Sequence, residues 1–164
     1  MSRTIMRRKS PRHWLGTFSF WGLALLAACT YRQSISSVST AEHFTVEVWS
    51  STNCALSGET VTVRATVTNV GSQTQLIDLK DQVVFDLVVA DQNGEHRWSA
   101  GKPLTADLTR LELVPKQSKM LEMQWVVQPL TSVLVVTAQL IDNPKDPRGP
   151  INAQVRIPSL CPGY

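Results

Sequence analysis

Strict alternation of apolar and polar side chains constrains this chain more than any other feature of its sequence. In residues 61–68, the apolar sequence Val, Val, Ala, Val alternates with Thr, Arg, Thr, Thr. Successive side chains of a β-strand point to opposite faces, so this pattern predicts a strand with one buried and one solvated face. The alternation recurs at 44–49, 83–89, 121–127 and 151–157, and a segment that is apolar on both faces lies at 133–141.

Short strands separated by turn residues, without a convincing helix after residue 42, predict the fold class. Two packed sheets that each bury one face satisfy the alternation. The sequence therefore predicts an all-β, immunoglobulin-like antiparallel β-sandwich that follows an N-terminal signal segment. Asn93 and Gly94 are predicted as the two turn residues of a hairpin, because Asn-Gly tolerates positive φ, and this register would place Val89 opposite Trp98.

The first 28 residues have the three-part form of an export signal. Residues 3–12 are basic, and residues 14–28 are uncharged and mostly apolar but shorter than the roughly 20 residues that span a bilayer. The run that ends them, Leu26-Ala27-Ala28-Cys29, resembles the lipobox of bacterial lipoproteins. The resemblance implies cleavage between Ala28 and Cys29 and attachment of palmitate-like acyl chains to the Cys29 thiol. An uncleaved membrane anchor is the alternative.

This interpretation divides the chain into a signal peptide at 1–28, a lipidated cysteine with a flexible tether at 29–41, and one β-sandwich domain at 42–164. It predicts a lipoprotein of the cell envelope that is anchored to membrane lipid through Cys29, on the extracytoplasmic side. The formal net charge of +3 comes from the basic N-terminal segment, and acidic side chains outnumber basic ones in the remainder. Nucleic acid is therefore not expected as a partner.

Two cysteines remain if Cys29 is lipidated. Cys54 and Cys161 form an even pair and are predicted to join in a disulfide, which would close a loop of about 100 residues. The alternative is two free thiols too far apart to react. A bond would fix the C-terminal residues against the front of the domain.

No sequence motif indicates catalysis. The chain lacks the nucleophile elbow, the zinc-binding helix motif, the phosphate-binding glycine loop and the paired Cys-x-x-Cys motif, so we expect no enzyme, no metal and no cofactor. The loop at 144–150 contains three prolines and two basic residues. Lys145 and Arg148 are therefore candidates for contact with a protease, since a stiff loop loses little entropy on binding. A solvated connector is the alternative.

A set of turn and core residues carries a family resemblance over about residues 60–141. These residues are Thr68-Asn69-x-Gly71-Ser72, Phe85-Asp86, Val88-Val89, Asp91-x-x-Gly94, Trp98-Ser99-x-Gly101-Lys102, Leu113-x-Pro115 and Trp125. The chain is similar to the BsuPI family of proteinase inhibitor domains, although Pro115-Lys116-Gln117 stands where the family usually has Pro-Gly-Glu. The resemblance implies an immunoglobulin-like sandwich and inhibition of serine proteases. The predicted function is a non-enzymatic envelope lipoprotein that binds a protein partner, and inhibition of the BsuPI type is the alternative.

Overall fold

The computed structural model describes residues 32–161. The predicted signal peptide and lipidation site, Leu26, Ala27, Ala28 and Cys29, lie outside these residues, so both stay predictions. No helix within the described range is long and apolar enough to cross a membrane.

Ten antiparallel strands and one single-turn helix make up the described chain. One sheet has the strand order β1-β2-β3-β8, the second has the order β10-β9-β5-β6, and β4 pairs with β7 in a small third sheet. The prediction of an all-β antiparallel sandwich is thus confirmed. The elements are β1 Ile35–Ala41, β2 Phe44–Ser50, β3 Thr60–Asn69, β4 Gln75–Asp78, β5 Phe85–Asp91, β6 Gly94–Arg97, α1 Ala106–Thr109, β7 Arg110–Leu113, β8 Ser118–Val126, β9 Val133–Leu140 and β10 Ile151–Pro158.

The core lies between the two four-stranded sheets. The burial of β2 and β3 follows the alternation of their sequences, with every second residue inaccessible to solvent. The central strand β9 lies between β10 and β5, as its apolar sequence predicts. The fully buried side chains that fill the core from both sheets include Val46, Val48, Val63, Val67, Leu87, Val89, Leu134 and Leu140.

The loops gather at two ends of the sandwich. The disulfide end comprises the loop at 51–59, the turn at 128–131 and residues 158–161. The Cys54–Cys161 disulfide, with 5.4 Å between the Cα atoms, confirms the predicted pairing, and the Ala55 amide donates to the Pro158 carbonyl over 3.1 Å. The opposite end comprises the turns at 69–73 and 114–117 and the loop at 142–150.

The predicted tether at 29–41 is wrong over residues 35–41. These residues form β1, which pairs with β2 along its whole length, from Ile35 opposite Ser50 to Ala41 opposite Phe44. The inward positions of β1 are Ile35, Ser37, Ser39 and Ala41, and two of these are polar. Backbone pairing rather than an apolar stripe therefore holds this edge strand, and the domain begins before residue 42.

The hairpin between β5 and β6 also differs from its prediction. Asp91 pairs with Gly94 and Val89 pairs with His96, so Gln92 and Asn93 are the turn residues. The Asn93 amide donates to the Asp91 carboxylate over 2.7 Å, which closes the turn one residue earlier than expected. The register shifts by two residues, and because two is the period of a strand, each side chain keeps its predicted face.

Lys116 adopts a backbone conformation that suits glycine better. It has φ +67° at the third position of the turn Val114-Pro115-Lys116-Gln117, which the Gln117 amide closes by donating to the Val114 carbonyl over 3.0 Å. Proline followed by a residue with positive φ is the arrangement of a type II turn. This region costs a non-glycine residue roughly 1–2 kcal/mol.

We therefore expect Lys116→Gly to raise the free energy of unfolding by about 0.5–1 kcal/mol, since glycine relieves the strain but loses more entropy on folding. The shift of the urea midpoint measures this gain. Lys145, which has negative φ, is the control, and Lys145→Gly should give no gain. A lower midpoint for Lys116→Gly would contradict the turn assignment.

Candidate functional site

Asn69 joins three chain segments at the end of β3. Its side chain is inaccessible to solvent. The amide nitrogen donates to the carbonyls of Gln73 and Leu113, both over 2.8 Å, and the side-chain oxygen accepts from the Gly71 amide over 2.9 Å. Gly71 packs closely here, since a Cβ at this position would lie 3.2 Å from His43 Nδ1 and from Asn69 Oδ1, and those side chains would have to shift by a few tenths of an ångström. The Asn-x-Gly motif is therefore architectural.

Asp86 has a similar architectural role at the start of β5. Its buried carboxylate accepts from the amides of Leu87 (3.0 Å) and Ser99 (3.1 Å) and from the Ser99 hydroxyl (2.6 Å). These bonds fix the corner after β6, where Lys102 Nζ lies 2.8 Å from the centroid of the Trp98 ring. The motif residues on this corner are thus engaged by one another rather than directed toward a ligand.

The polar side chains of the family motif gather in two clusters in the described part of the chain, around Asn69 and Asp86. No group of three or more His, Cys, Asp and Glu side chains converges there to hold a metal ion. The two residue clusters most suited to chemistry, around Asn69 and Asp86, are buried and hydrogen-bonded. The predicted contact residues Lys145 and Arg148 lie instead in the exposed loop at 142–150.

The loop at 142–150 presents Arg148 in a constrained form. The Arg148 side chain is 75 % exposed, but its Nη2 lies 2.7 Å from the Asp146 carboxylate, whose side chain is only 12 % exposed. The Arg148 Nε and backbone amide also donate to Asp146. The Lys145 amide donates to the Asn143 side chain over 3.0 Å. Insertion of Arg148 into a partner's pocket would have to break its ion pair first, and contact of Lys145 and Arg148 with a protease stays a prediction.

Arg148 lowers the pKa of Asp146 to about 2, through side-chain and backbone hydrogen bonds. We expect Arg148→Ala to return this pKa toward its ordinary value of 3.8. The folded-state pKa is depressed, so the contribution of the pair to stability is present above the ordinary pKa and is lost as the pH falls toward 2. NMR titration of the Asp146 carboxyl carbon measures the shift. An unchanged Asp146 midpoint would contradict the pairing.

The turn at 128–131 carries a feature that sequence reasoning missed. Leu130 is 94 % exposed, the highest value for a large apolar side chain in residues 32–161. It has φ +67° in the turn Gln128-Pro129-Leu130-Thr131, which the Thr131 amide closes on the Gln128 carbonyl over 3.3 Å. Pro129 between two strands indicates a turn in the sequence. The positive φ of Leu130 could not be predicted, because the turn contains no glycine.

One comparison with known proteins identifies the family. The model of the BsuPI family, described as an intracellular proteinase inhibitor, matches residues 48–137, which extend from β2 into β9. No curated protein matches the chain. The loop with Lys145 and Arg148 lies beyond the matched residues, whereas the turn with Leu130 lies within them.

The family description corrects one prediction. A lipid-anchored location in the cell envelope was expected from the N-terminal sequence, but the family is described as intracellular, so the predicted location is wrong. The matched region covers more than half of the sequence and includes the Asn69 and Asp86 corners. The chain belongs to the BsuPI family of intracellular proteinase inhibitors.

Proposed function

We propose that this chain is a non-catalytic protein that binds a serine proteinase and inhibits it. The observation that carries the proposal is the family match over residues 48–137. The matched range includes the Asn69 and Asp86 side chains, whose hydrogen bonds fix two corners of the sandwich. Fold membership alone does not establish activity, so the proposal needs a surface that a proteinase can recognise.

The rigidity of the sandwich supports inhibition. An inhibitor must hold its contact residues in the bound conformation, because ordering a loop on binding reduces affinity. The turns at 114–117 and 128–131 each contain a proline and a closing hydrogen bond, and the disulfide fixes residues 158–161 to the loop at 51–59. These exposed segments are preorganised before any partner arrives.

Titration of the purified full chain against a panel of serine proteinases tests the proposal. The panel should include enzymes that select large apolar residues and enzymes that select basic residues. Inhibition predicts loss of activity in proportion to added chain, with the chain recovered intact. Binding of a different protein, without inhibition, is the second candidate. It predicts unchanged activity of every proteinase and slow cleavage of the chain.

A further inference from the structure

We infer that the outer face of the sheet β1-β2-β3-β8 is the interface of a homodimer with two-fold symmetry. The partner is a second copy of this chain, and the inference does not depend on the proposed function. The outer face is made of the side chains at every second position of these strands, which point away from the sandwich core. They are Ser36, Val38 and Thr40 of β1, Thr45, Glu47 and Trp49 of β2, Thr60, Thr62, Arg64, Thr66 and Thr68 of β3, and Ser118, Met120, Glu122, Gln124 and Val126 of β8.

The outer face combines exposed apolar side chains with little charge. Val38 is 57 % exposed and Met120 is 58 % exposed, more than any other large apolar residue of the face. The charged side chains of the face are Glu47, Arg64 and Glu122, and the last two form an ion pair with 2.6 Å between Arg64 Nε and Glu122 Oε2. Large apolar side chains in water on a surface with few charges are typical of sites of protein interaction.

The strand register places the two exposed apolar side chains at opposite edges of the sheet. Val38 pairs with Glu47, Glu47 pairs with Thr66, and Thr66 pairs with Met120. These four residues therefore form one row across the sheet. Three strand spacings separate the ends of the row by about 14 Å, so Val38 and Met120 cannot cover each other within one chain.

A second copy of the same face would cover both of them. When two copies stack with a two-fold axis parallel to the strands, each end of a row lies over the opposite end of the same row in the other copy. Val38 of one copy then packs on Met120 of the other, and this contact occurs twice. Glu47 lies over Thr66 of the other copy, and the threonine hydroxyl can donate to the carboxylate. The row is thus complementary to itself.

The centre of the face contains the residue types that contribute most to the affinity of interfaces. In the next row, Trp49 of β2 pairs with Arg64 of β3, and these are the two central strands of the sheet. The Arg64 Cζ lies 4.8 Å from the centroid of the Trp49 ring. The same two-fold axis brings Trp49 of one copy over Arg64 of the other, so the cation and ring contacts continue across the interface. Tryptophan and arginine near the centre are characteristic of interface hot spots.

The size of the face sets the expected affinity. Four strands about 4.8 Å apart, and the nine residues of β8 at about 3.4 Å each, give a face of roughly 20 Å by 30 Å. Two copies would bury roughly 1,200 Å² in total, which is at the lower end of specific interfaces. We therefore expect a dissociation constant on the order of 10 μM, with dimers in concentrated solution and monomers on dilution.

Sedimentation equilibrium of the full chain, at concentrations on both sides of this value, tests the interface with the variants Val38→Lys and Met120→Glu. Each variant places an unpaired charge against an apolar side chain twice per dimer, so the dissociation constant should rise at least about 30-fold. Val133, on the outside of the other sheet and 39 % exposed, is the matched control, and Val133→Lys should leave the constant unchanged. Urea unfolding of each variant shows that lost association is not lost folding.

An equimolar mixture of the two interface variants tests the two-fold arrangement itself. In their heterodimer, one contact joins the introduced lysine to the introduced glutamate, and the other contact keeps Val38 against Met120. The mixture should therefore associate with a dissociation constant within about tenfold of the wild-type value, although each variant alone is monomeric at the same concentration. Random association through another surface would not show this recovery.

Three results would overturn the inference. The first is a wild-type chain that stays monomeric at every concentration. The second is a dimer that Val38→Lys and Met120→Glu leave intact, since its interface must then lie elsewhere. The third is weakening by both single variants without recovery in their mixture, which would exclude the pairing of Val38 with Met120. None of these results affects the proposed function, which the titration of proteinases tests separately.

Discussion

Removal of the disulfide by the double substitution of Cys54 and Cys161 with alanine is expected to lower the free energy of unfolding by about 4–5 kcal/mol. The bond joins residues separated by 107 positions. In the chain-entropy model, a cross-link that closes a loop of this length lowers the conformational entropy of the unfolded chain and so raises the free energy of unfolding. This stabilisation is lost when the bond is absent. Urea unfolding of the wild type and the variant, monitored by tryptophan fluorescence, measures the difference.

The reduced wild type is the matched control, since it keeps both sulfur atoms and lacks only the bond. It should unfold at nearly the same urea concentration as the double variant. Hydrogen exchange at the Ala55 amide, which donates to the Pro158 carbonyl, should accelerate in both. If oxidised and reduced wild type unfolded together, the stabilising role of the bond would be refuted.

Asn69→Ala is expected to lower the free energy of unfolding by about 3 kcal/mol. The change removes three side-chain hydrogen bonds, and it leaves the carbonyls of Gln73 and Leu113 without their donor. A buried polar group that loses its partner costs roughly 1–3 kcal/mol. Chemical denaturation of the purified variant gives the value.

Two further variants isolate the cause. Asn69→Asp preserves size but cannot donate when ionised, so a carboxylate would face two carbonyl oxygens, and the loss should be at least as large as for alanine. Asn152, an exposed residue of β10, is the matched control, and Asn152→Ala should change stability by less than about 0.5 kcal/mol. A small loss of stability for Asn69→Asp would show that the hydrogen bonds donated by the Asn69 amide do not account for the effect of Asn69→Ala.

The sequence predicts those parts of the fold that depend on burial. Strands β2 and β3 follow from alternation because each packs one face against the opposite sheet. Two cysteines remain if Cys29 is the lipidation site, as the sequence predicts, and this even number predicts that Cys54 pairs with Cys161. The structure confirms the pair. Each of these properties depends on the type of residue at a position.

Properties that depend on backbone geometry could not be predicted in the same way. Strand β1 escapes detection because Ser37 and Ser39 face inward at its edge, where pairing with β2 replaces apolar packing. The hairpin register fails because Asp91 caps the turn with its own side chain. The left-handed conformations of Lys116 and Leu130 arise from their turns, and neither residue is a glycine that would have signalled them in the sequence.

The residues of the family motif determine the fold. The polar side chains of Asn69 and Asp86 explain this role, because their hydrogen bonds hold neighbouring turns together.

Active-site titration of subtilisin with the full chain tests the central claim most directly. At proteinase concentrations well above the dissociation constant, activity should fall linearly to zero at one chain per proteinase. Mass spectrometry should then find the chain uncleaved. Constant activity together with progressive cleavage of the chain would identify it as a substrate and contradict the account.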